Sequence, residues 1–157
     1  MIVLALDQAK KTGVAIFNGS ELIYHDIIQS KFERYEDVII DISNKLSNLI
    51  NKYHPDIVLL EDVQSMQNQK TYKDLCMLLG CLISTCHSKN TNYEVISCNT
   101  WRKVLKNNLP YHGKKKQRAE WKQAAQEFVK QRFNLKLNND TAEAICIALY
   151  YIEREVE

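Results

Sequence analysis

Long apolar runs are missing from this 157-residue sequence. The longest, Met1 to Leu6, Ile57 to Leu60 and Leu75 to Ile83, fall well short of the roughly 20 residues that cross a bilayer, so a soluble chain is expected. Only four Gly and two Pro are present, which excludes collagen-like and low-complexity chains, and 45% hydrophobic residues suffice for a packed core. Cys76, Cys81, Cys86, Cys98 and Cys146 are odd in number and form no C-x-x-C pair. They therefore argue against a disulfide framework or zinc ribbon, and read as small buried hydrophobes in a reducing cytoplasm. H-E-x-x-H, G-x-S-x-G, Walker A and G-x-G-x-x-G patterns are absent, and His25, His54, His87 and His112 show no ligand spacing. Neither a basic flank nor a cleavage site accompanies the first apolar run, so export is not expected. With no repeat or linker, a single domain over residues 1–157 is expected.

What is present is an alternation of strand and helix patterns. Ile2 to Leu6 is a continuous apolar run ending at Asp7, as in a strand buried on both faces. Gly13 to Phe17 and Glu21 to Gln29 flank the turn-forming Asn18-Gly19-Ser20, which predicts a hairpin. From Tyr35 to Tyr53, Ile39, Ile42, Leu46, Leu49, Ile50 and Tyr53 recur at helical spacing, and Pro55 ends the helix. A second buried run, Asp56 to Leu60, stops at Glu61. A helix over about Lys70 to His87 carries a wide apolar face, Leu75, Leu78, Leu79, Leu82, Ile83 and Cys86, broad enough to serve a second subunit. Tyr93 to Ser97 is a fifth strand, Thr100 the N-cap of a short helix through Lys106, Lys115 to Phe133 a further helix, and Asp140 to about Glu155 the last, preceded by Asn138 and Asn139. The sum is an α/β fold: a five-stranded mixed sheet, a three-strand antiparallel meander plus parallel strands, flanked by helices.

Asp7 and Glu61 each end an apolar strand at its carboxyl end, where ligands gather in open α/β sheets. If the strands are neighbours, the two carboxylates are close. Asp140 and Glu143 stand three apart on one helical face, although acids in a first turn also simply suit the helix dipole. Four clustered carboxylates repel unless a cation joins them. All-oxygen donors suit Mg²⁺ or Mn²⁺, and two such ions about 4 Å apart serve phosphodiester hydrolysis.

The net charge of +2 is unevenly spread. Between Arg102 and Lys122 lie Arg102, Lys103, Lys106, Lys114, Lys115, Lys116, Arg118 and Lys122, with Glu120 the sole acid, which matches a phosphate-binding segment. Gly113 and the lysines after it stand at the predicted start of a helix, where backbone N–H groups also favour phosphate. Tyr111, Trp101 and Trp121 interleave with the charges, as base-stacking residues or as core.

Leu4-Ala5-Leu6-Asp7 through Thr12-Gly13-Val14-Ala15, Ile57-Val58-Leu59-Leu60-Glu61 and Asp140-Thr141-Ala142-Glu143-Ala144 resemble, in order and spacing, the motifs of the RuvC-type Holliday-junction resolvases. Compact length and abundant lysine resemble the bacteriophage branch, whose place of action is the bacterial host cytoplasm. The resemblance implies an RNase H-like fold, with Asp7, Glu61, Asp140 and Glu143 as catalytic carboxylates holding Mg²⁺, two ions per site, with Mn²⁺ as substitute. It also implies a homodimer that nicks a four-way DNA junction at two symmetric strands, leaving 5′-phosphate and 3′-hydroxyl ends. Lys116 or Arg118 would lie near the scissile phosphate, Arg102 or Lys103 would contact another, and Lys114, Lys115 and Lys122 would add DNA contacts. The sequence departs from the family pattern in Gln8-Ala9-Lys10-Lys11 after the first acid, in Glu143 where Asp is usual, and in Gln64 where an aromatic residue is common.

The residues alone leave three other readings open: an RNase H-like nuclease acting on RNA, hybrids or flaps; a non-catalytic branched-DNA-binding module; and an actin-like phosphotransferase, which needs a second domain.

Overall fold

The computed structural model describes residues 1–109 and 117–156, so Tyr111, Gly113, Lys114, Lys115 and Lys116 lie outside the described residues. The strands are β1 (Ile2–Asp7), β2 (Lys11–Asn18), β3 (Glu21–Gln29), β4 (Ile57–Glu61) and β5 (Asn92–Ile96). The helices are α1 (Tyr35–Tyr53), α2 (Gln69–Ser88), α3 (Cys98–Trp101), α4 (Lys103–Asn108), α5 (Arg118–Phe133) and α6 (Asn139–Val156). The strand order is β3-β2-β1-β4-β5, with antiparallel pairing from β1 to β3 and parallel pairing from β1 through β4 to β5.

Both sheet faces are covered, which explains why β1 and β4 are apolar at every interior position. Leu4, Leu6, Val14, Ile16, Val58 and Leu60 face α1 and α2, whose Ile42, Leu46, Leu78 and Leu82 are fully buried. Val3, Ala5, Ala15, Phe17 and Leu59 face the opposite layer of α3 to α6. Because strand side chains alternate, Asp7 continues the Val3–Ala5 side and Glu61 the Leu59 side. Both acids therefore point to the layer that contains α6.

Several boundaries shift for identifiable reasons. The short helix predicted to begin after Thr100 instead starts at Cys98: the Ser97 side chain accepts the Thr100 N–H at 3.3 Å, so Ser97 is the cap and Thr100 lies inside the first turn. In α5 the Gln117 N–H donates to the Glu120 carboxylate at 2.6 Å, so the lone acid of the basic segment stabilises a helix start at Arg118. Asn138 Oδ1 accepts the Thr141 N–H at 3.0 Å, which starts α6 one residue earlier than the sequence pattern suggests. Cys86, Cys98 and Cys146 are buried as expected, whereas Cys76 and Cys81 are exposed on α2. The wide α2 face divides: Leu78, Leu82 and Cys86 enter the core, and Leu75 borders a cleft at the strand ends. Among the described residues, no helix is long and apolar enough to cross a membrane.

Candidate active site

Asp7 and Glu61 are neighbours because β1 and β4 pair in parallel, Leu6 opposite Leu60. Beyond that last pair the buried Gln8 side chain takes over the ladder. Its Nε2 donates to the Glu61 carbonyl, and its Oε1 accepts the Glu61 N–H at 3.0 Å. An amide side chain thus fixes the spacing between the two acid-bearing strand ends.

Helix α6 brings the second pair. It crosses the sheet over β1 and β2; Ala5, Ala15, Ala142, Ala144 and Ala148 are all fully buried in the core there, and Gly13 of β2 meets the first turn of α6. Gly13 pairs with Asp7 across β1 and β2, and a Cβ built on it would lie 2.0 Å from the Asp140 carbonyl oxygen. No side chain fits there, which gives the Thr-Gly of β2 its physical meaning. Thr141 Oγ1 donates to the Asp26 carbonyl at 3.3 Å, securing the first turn of α6 to β3. Asp140 and Glu143 then project together toward Asp7, and one carboxylate oxygen from each of the three lies within 4.8 Å of the others.

Glu61 stands beside this trio, and its Oε1 accepts a hydrogen bond from Trp101 Nε1 at 2.7 Å. All four acids line one cleft of about 660 Å³. None forms an ion pair with Lys or Arg among the described residues. Burial pushes the Asp7 carboxyl well above its usual range, and Glu61, Glu143 and Asp140 raise it further by repulsion. Burial and Glu61 also raise Glu143, opposed by a hydrogen bond with Asp7 and by the charges of Lys122 and Arg102. An unpaired, closely spaced set of oxygen donors of this kind fits hard divalent cations, which would take the place of the protons that burial now favours.

This arrangement ties stability to pH. Carboxyls whose folded pKa lies above the unfolded value stabilise the fold below the unfolded value, about pH 4, and lose that contribution as pH rises through the folded one. In EDTA, the melting temperature is therefore expected to fall as pH is raised from about 5 to 8. Mg²⁺ should restore it by an amount that grows with pH. Calorimetry across that range checks this; a metal effect that shrinks with rising pH would contradict it.

The same cleft is also lined by basic side chains, Arg102, Lys106, Arg118 and Lys122 on α4, α5 and the α3–α4 junction, and Lys11 on β2. The Arg102 guanidinium lies 5.4 Å from the Trp101 ring and 5.3 Å from that of Trp121. Its Nε is buried with no hydrogen-bond partner among the described residues. Lys103 is exposed and does not border the cleft. Trp101 and Trp121, weighed as base-stacking residues, are buried core side chains instead. Sequence reasoning missed Gln8 and Lys11, which carry no distinguishing local signal, and left Lys106 out of the DNA-binding set although it lies within the basic segment. It saw Trp101 without its acceptor, which lies 40 residues away.

The fold has close counterparts among solved structures. Thermus thermophilus RuvC in complex with a Holliday junction substrate aligns with a TM-score of 0.77 at 13% identity, covering 99% of this chain and 96% of that one. Another Thermus thermophilus RuvC structure gives 0.74 at 14% identity with the same coverage. The yeast mitochondrial Holliday junction resolvase Ydc2 gives 0.66 at 14%, covering 98% of this chain and 78% of its own. These likenesses identify the mixed sheet as the RNase H-like fold. No curated protein matches the sequence significantly. The family model of crossover junction endodeoxyribonuclease RuvC matches residues 7–151, a span that opens at the first cleft carboxylate and contains the other three. The chain thus belongs to the RuvC family of crossover junction endodeoxyribonucleases, metal-dependent hydrolases that cut DNA.

Proposed function

We propose that this chain resolves four-way DNA junctions as a single-domain, homodimeric enzyme with Asp7, Glu61, Asp140 and Glu143 holding two Mg²⁺ ions, Mn²⁺ substituting. The carrying observation is the meeting of Asp7, Asp140 and Glu143 within 4.8 Å in a cleft that Arg102, Lys106, Arg118 and Lys122 also line. Ions held there supply the charge that phosphodiester hydrolysis requires on its attacking and leaving oxygens. The chain's own residues do the rest. Asp7 and Glu61 fix the sheet side of the site through the Gln8 clamp, and Asp140 and Glu143 close it from α6.

Arg102, Arg118 and Lys122 hold the phosphate backbone across the cleft, and Arg102 is kept in place by the two indole rings. Lys103 on the outer face of α4 and the lysines Lys114, Lys115 and Lys116 extend that grip along the strand. A dimer suits a substrate with two-fold symmetry, since each site then meets one of two equivalent strands. Sedimentation of the full chain with and without junction DNA tests the dimer.

The deciding experiment compares cleavage of a synthetic four-way junction, a linear duplex and an RNA–DNA hybrid, each in Mg²⁺, Mn²⁺ and EDTA. Metal-dependent cutting of the junction above the others is the expected result, and preference for the hybrid would overturn the substrate assignment. The basic side chains have their own readout. Replacing Arg118 and Lys122 together by Ala is expected to weaken junction binding and to flatten log K against log salt by about 1.8, at roughly 0.9 for each phosphate no longer neutralised. An unchanged slope would place the DNA elsewhere.

A further inference from the structure

We propose that Trp101 is a positioning residue for the metal site: its indole N–H occupies one oxygen of Glu61, so the carboxylate engages a cation through its other oxygen, which favours Mg²⁺ and Mn²⁺ over Ca²⁺. The inference rests on the reading of Glu61 as a metal ligand and concerns how that ligand is presented.

Glu61 is held at three points. Gln8 binds its backbone N–H and carbonyl, and Trp101 Nε1 binds Oε1 at 2.7 Å. Among the described residues, no other protein donor reaches the Glu61 carboxylate. Trp101 cannot follow a moving acceptor. It ends α3, whose start is fixed by Ser97, and its ring is fully buried in the core shared with α5 and α6. A buried indole N–H requires an acceptor, and here that acceptor is an acid of the site and not a backbone carbonyl. Turning both Glu61 oxygens onto one ion would place the cation on the oxygen that already accepts from Trp101, drawing off its electron density and setting a positive ion beside the buried N–H, at the cost of weakening a hydrogen bond to a charged group. Ca²⁺, with six to eight ligands at 2.3–2.6 Å, commonly takes a carboxylate through both oxygens, whereas Mg²⁺ binds in a small octahedron with few protein carboxylates. The bond from Trp101 therefore opposes the larger ion more than the smaller one.

Calorimetric titration of Mg²⁺, Mn²⁺ and Ca²⁺ into the full chain and into Trp101→Phe tests this. Removing the N–H is expected to tighten Ca²⁺ relative to Mg²⁺ by about tenfold, the scale of one hydrogen bond to a charged group. An unchanged ratio overturns the proposal. Glu61→Gln in the same titrations separates the two levels. Weaker Mg²⁺ binding there, with an unchanged ratio in Trp101→Phe, removes the proposal and keeps Glu61 as a ligand; Mg²⁺ binding indifferent to Glu61→Gln removes both. A second measurement needs no Trp101 variant. The chain has two tryptophans, so ¹⁵N-labelled protein gives two indole N–H signals, and Trp121→Phe assigns that of Trp101. This signal is expected to stay downfield and protected from exchange in saturating Mg²⁺ and to move upfield in Ca²⁺. Upfield movement in Mg²⁺ shows the bond broken by the favoured ion, and the proposal fails.

Discussion

Glu61→Gln and Asp140→Asn are each expected to lower junction cleavage in Mg²⁺ by at least about 10²–10³-fold, the scale of losing one preorganised electrostatic interaction in an active site, while junction binding in EDTA persists. The reason for the split is a division of roles. The acids would bear on the cation, whereas phosphate would be held by Arg102, Arg118 and Lys122, separate side chains lining the same cleft. Neutral isosteres keep shape and hydrogen-bonding capacity: Gln at position 61 still offers an oxygen to Trp101, and Asn at 140 leaves the α6 backbone unaltered. Repulsion among the acids also falls, so both variants should melt at or above the parent temperature in EDTA. Electrophoretic binding, cleavage and melting on one preparation check this. Loss of binding together with cutting would mean that the carboxylates hold the fold and not the cation.

Gly13→Ala is the second large effect, and it acts through backbone alone. The added methyl would lie 2.0 Å from the Asp140 carbonyl oxygen and 2.6 Å from the Thr141 nitrogen, so α6 must lift from β2. Overpacking of this kind costs about 1–3 kcal/mol. The lift also displaces Asp140 and Glu143 from Asp7, so cleavage is expected to fall by more than the stability loss explains. Gly80→Ala is the matched control. A methyl at Gly80, within α2, meets nothing within 4 Å, and the helix should gain about 0.5–1 kcal/mol. Urea unfolding and cleavage of both variants test the pair; Gly13→Ala cutting at the parent rate would show that the close approach has no bearing on the chemistry.

Periodicity and strand-end chemistry made most of this fold legible. Apolar runs stopping at Asp7 and Glu61 encode two buried strands and the two acids at their carboxyl ends. The three-residue spacing of Asp140 and Glu143 encodes a shared helical face. Those are local signals. The side chains that organise the acids act across 40 to 53 residues of sequence: Trp101 on Glu61, and Gln8 on the Glu61 backbone. No local pattern marks a glutamine that extends a ladder or an indole whose acceptor is an acid. Thr100 and Ser97 show the same limit at short range, since both are good caps and only the backbone at Ser97 is extended as a cap requires. Lys103 and Arg102 are adjacent in sequence but are placed differently: Lys103 opens α4 with an exposed side chain, and Arg102, at the α3–α4 junction, reaches the indole rings of the cleft.

The acidic and the basic side chains of the cleft differ in how freely they can change. The acids belong to β1, β4 and α6, so moving them disturbs strand pairing, helix seating and the Gln8 clamp together. Most of the cationic side chains, Lys106, Arg118 and Lys122, are exposed or half-buried on α4 and α5 and replaceable without touching the core; Arg102, held between two buried indoles, is the exception. Descendants of this scaffold can therefore drift in which DNA shapes they grip while the hydrolytic geometry stays frozen, and substrate preference should diverge sooner than chemistry.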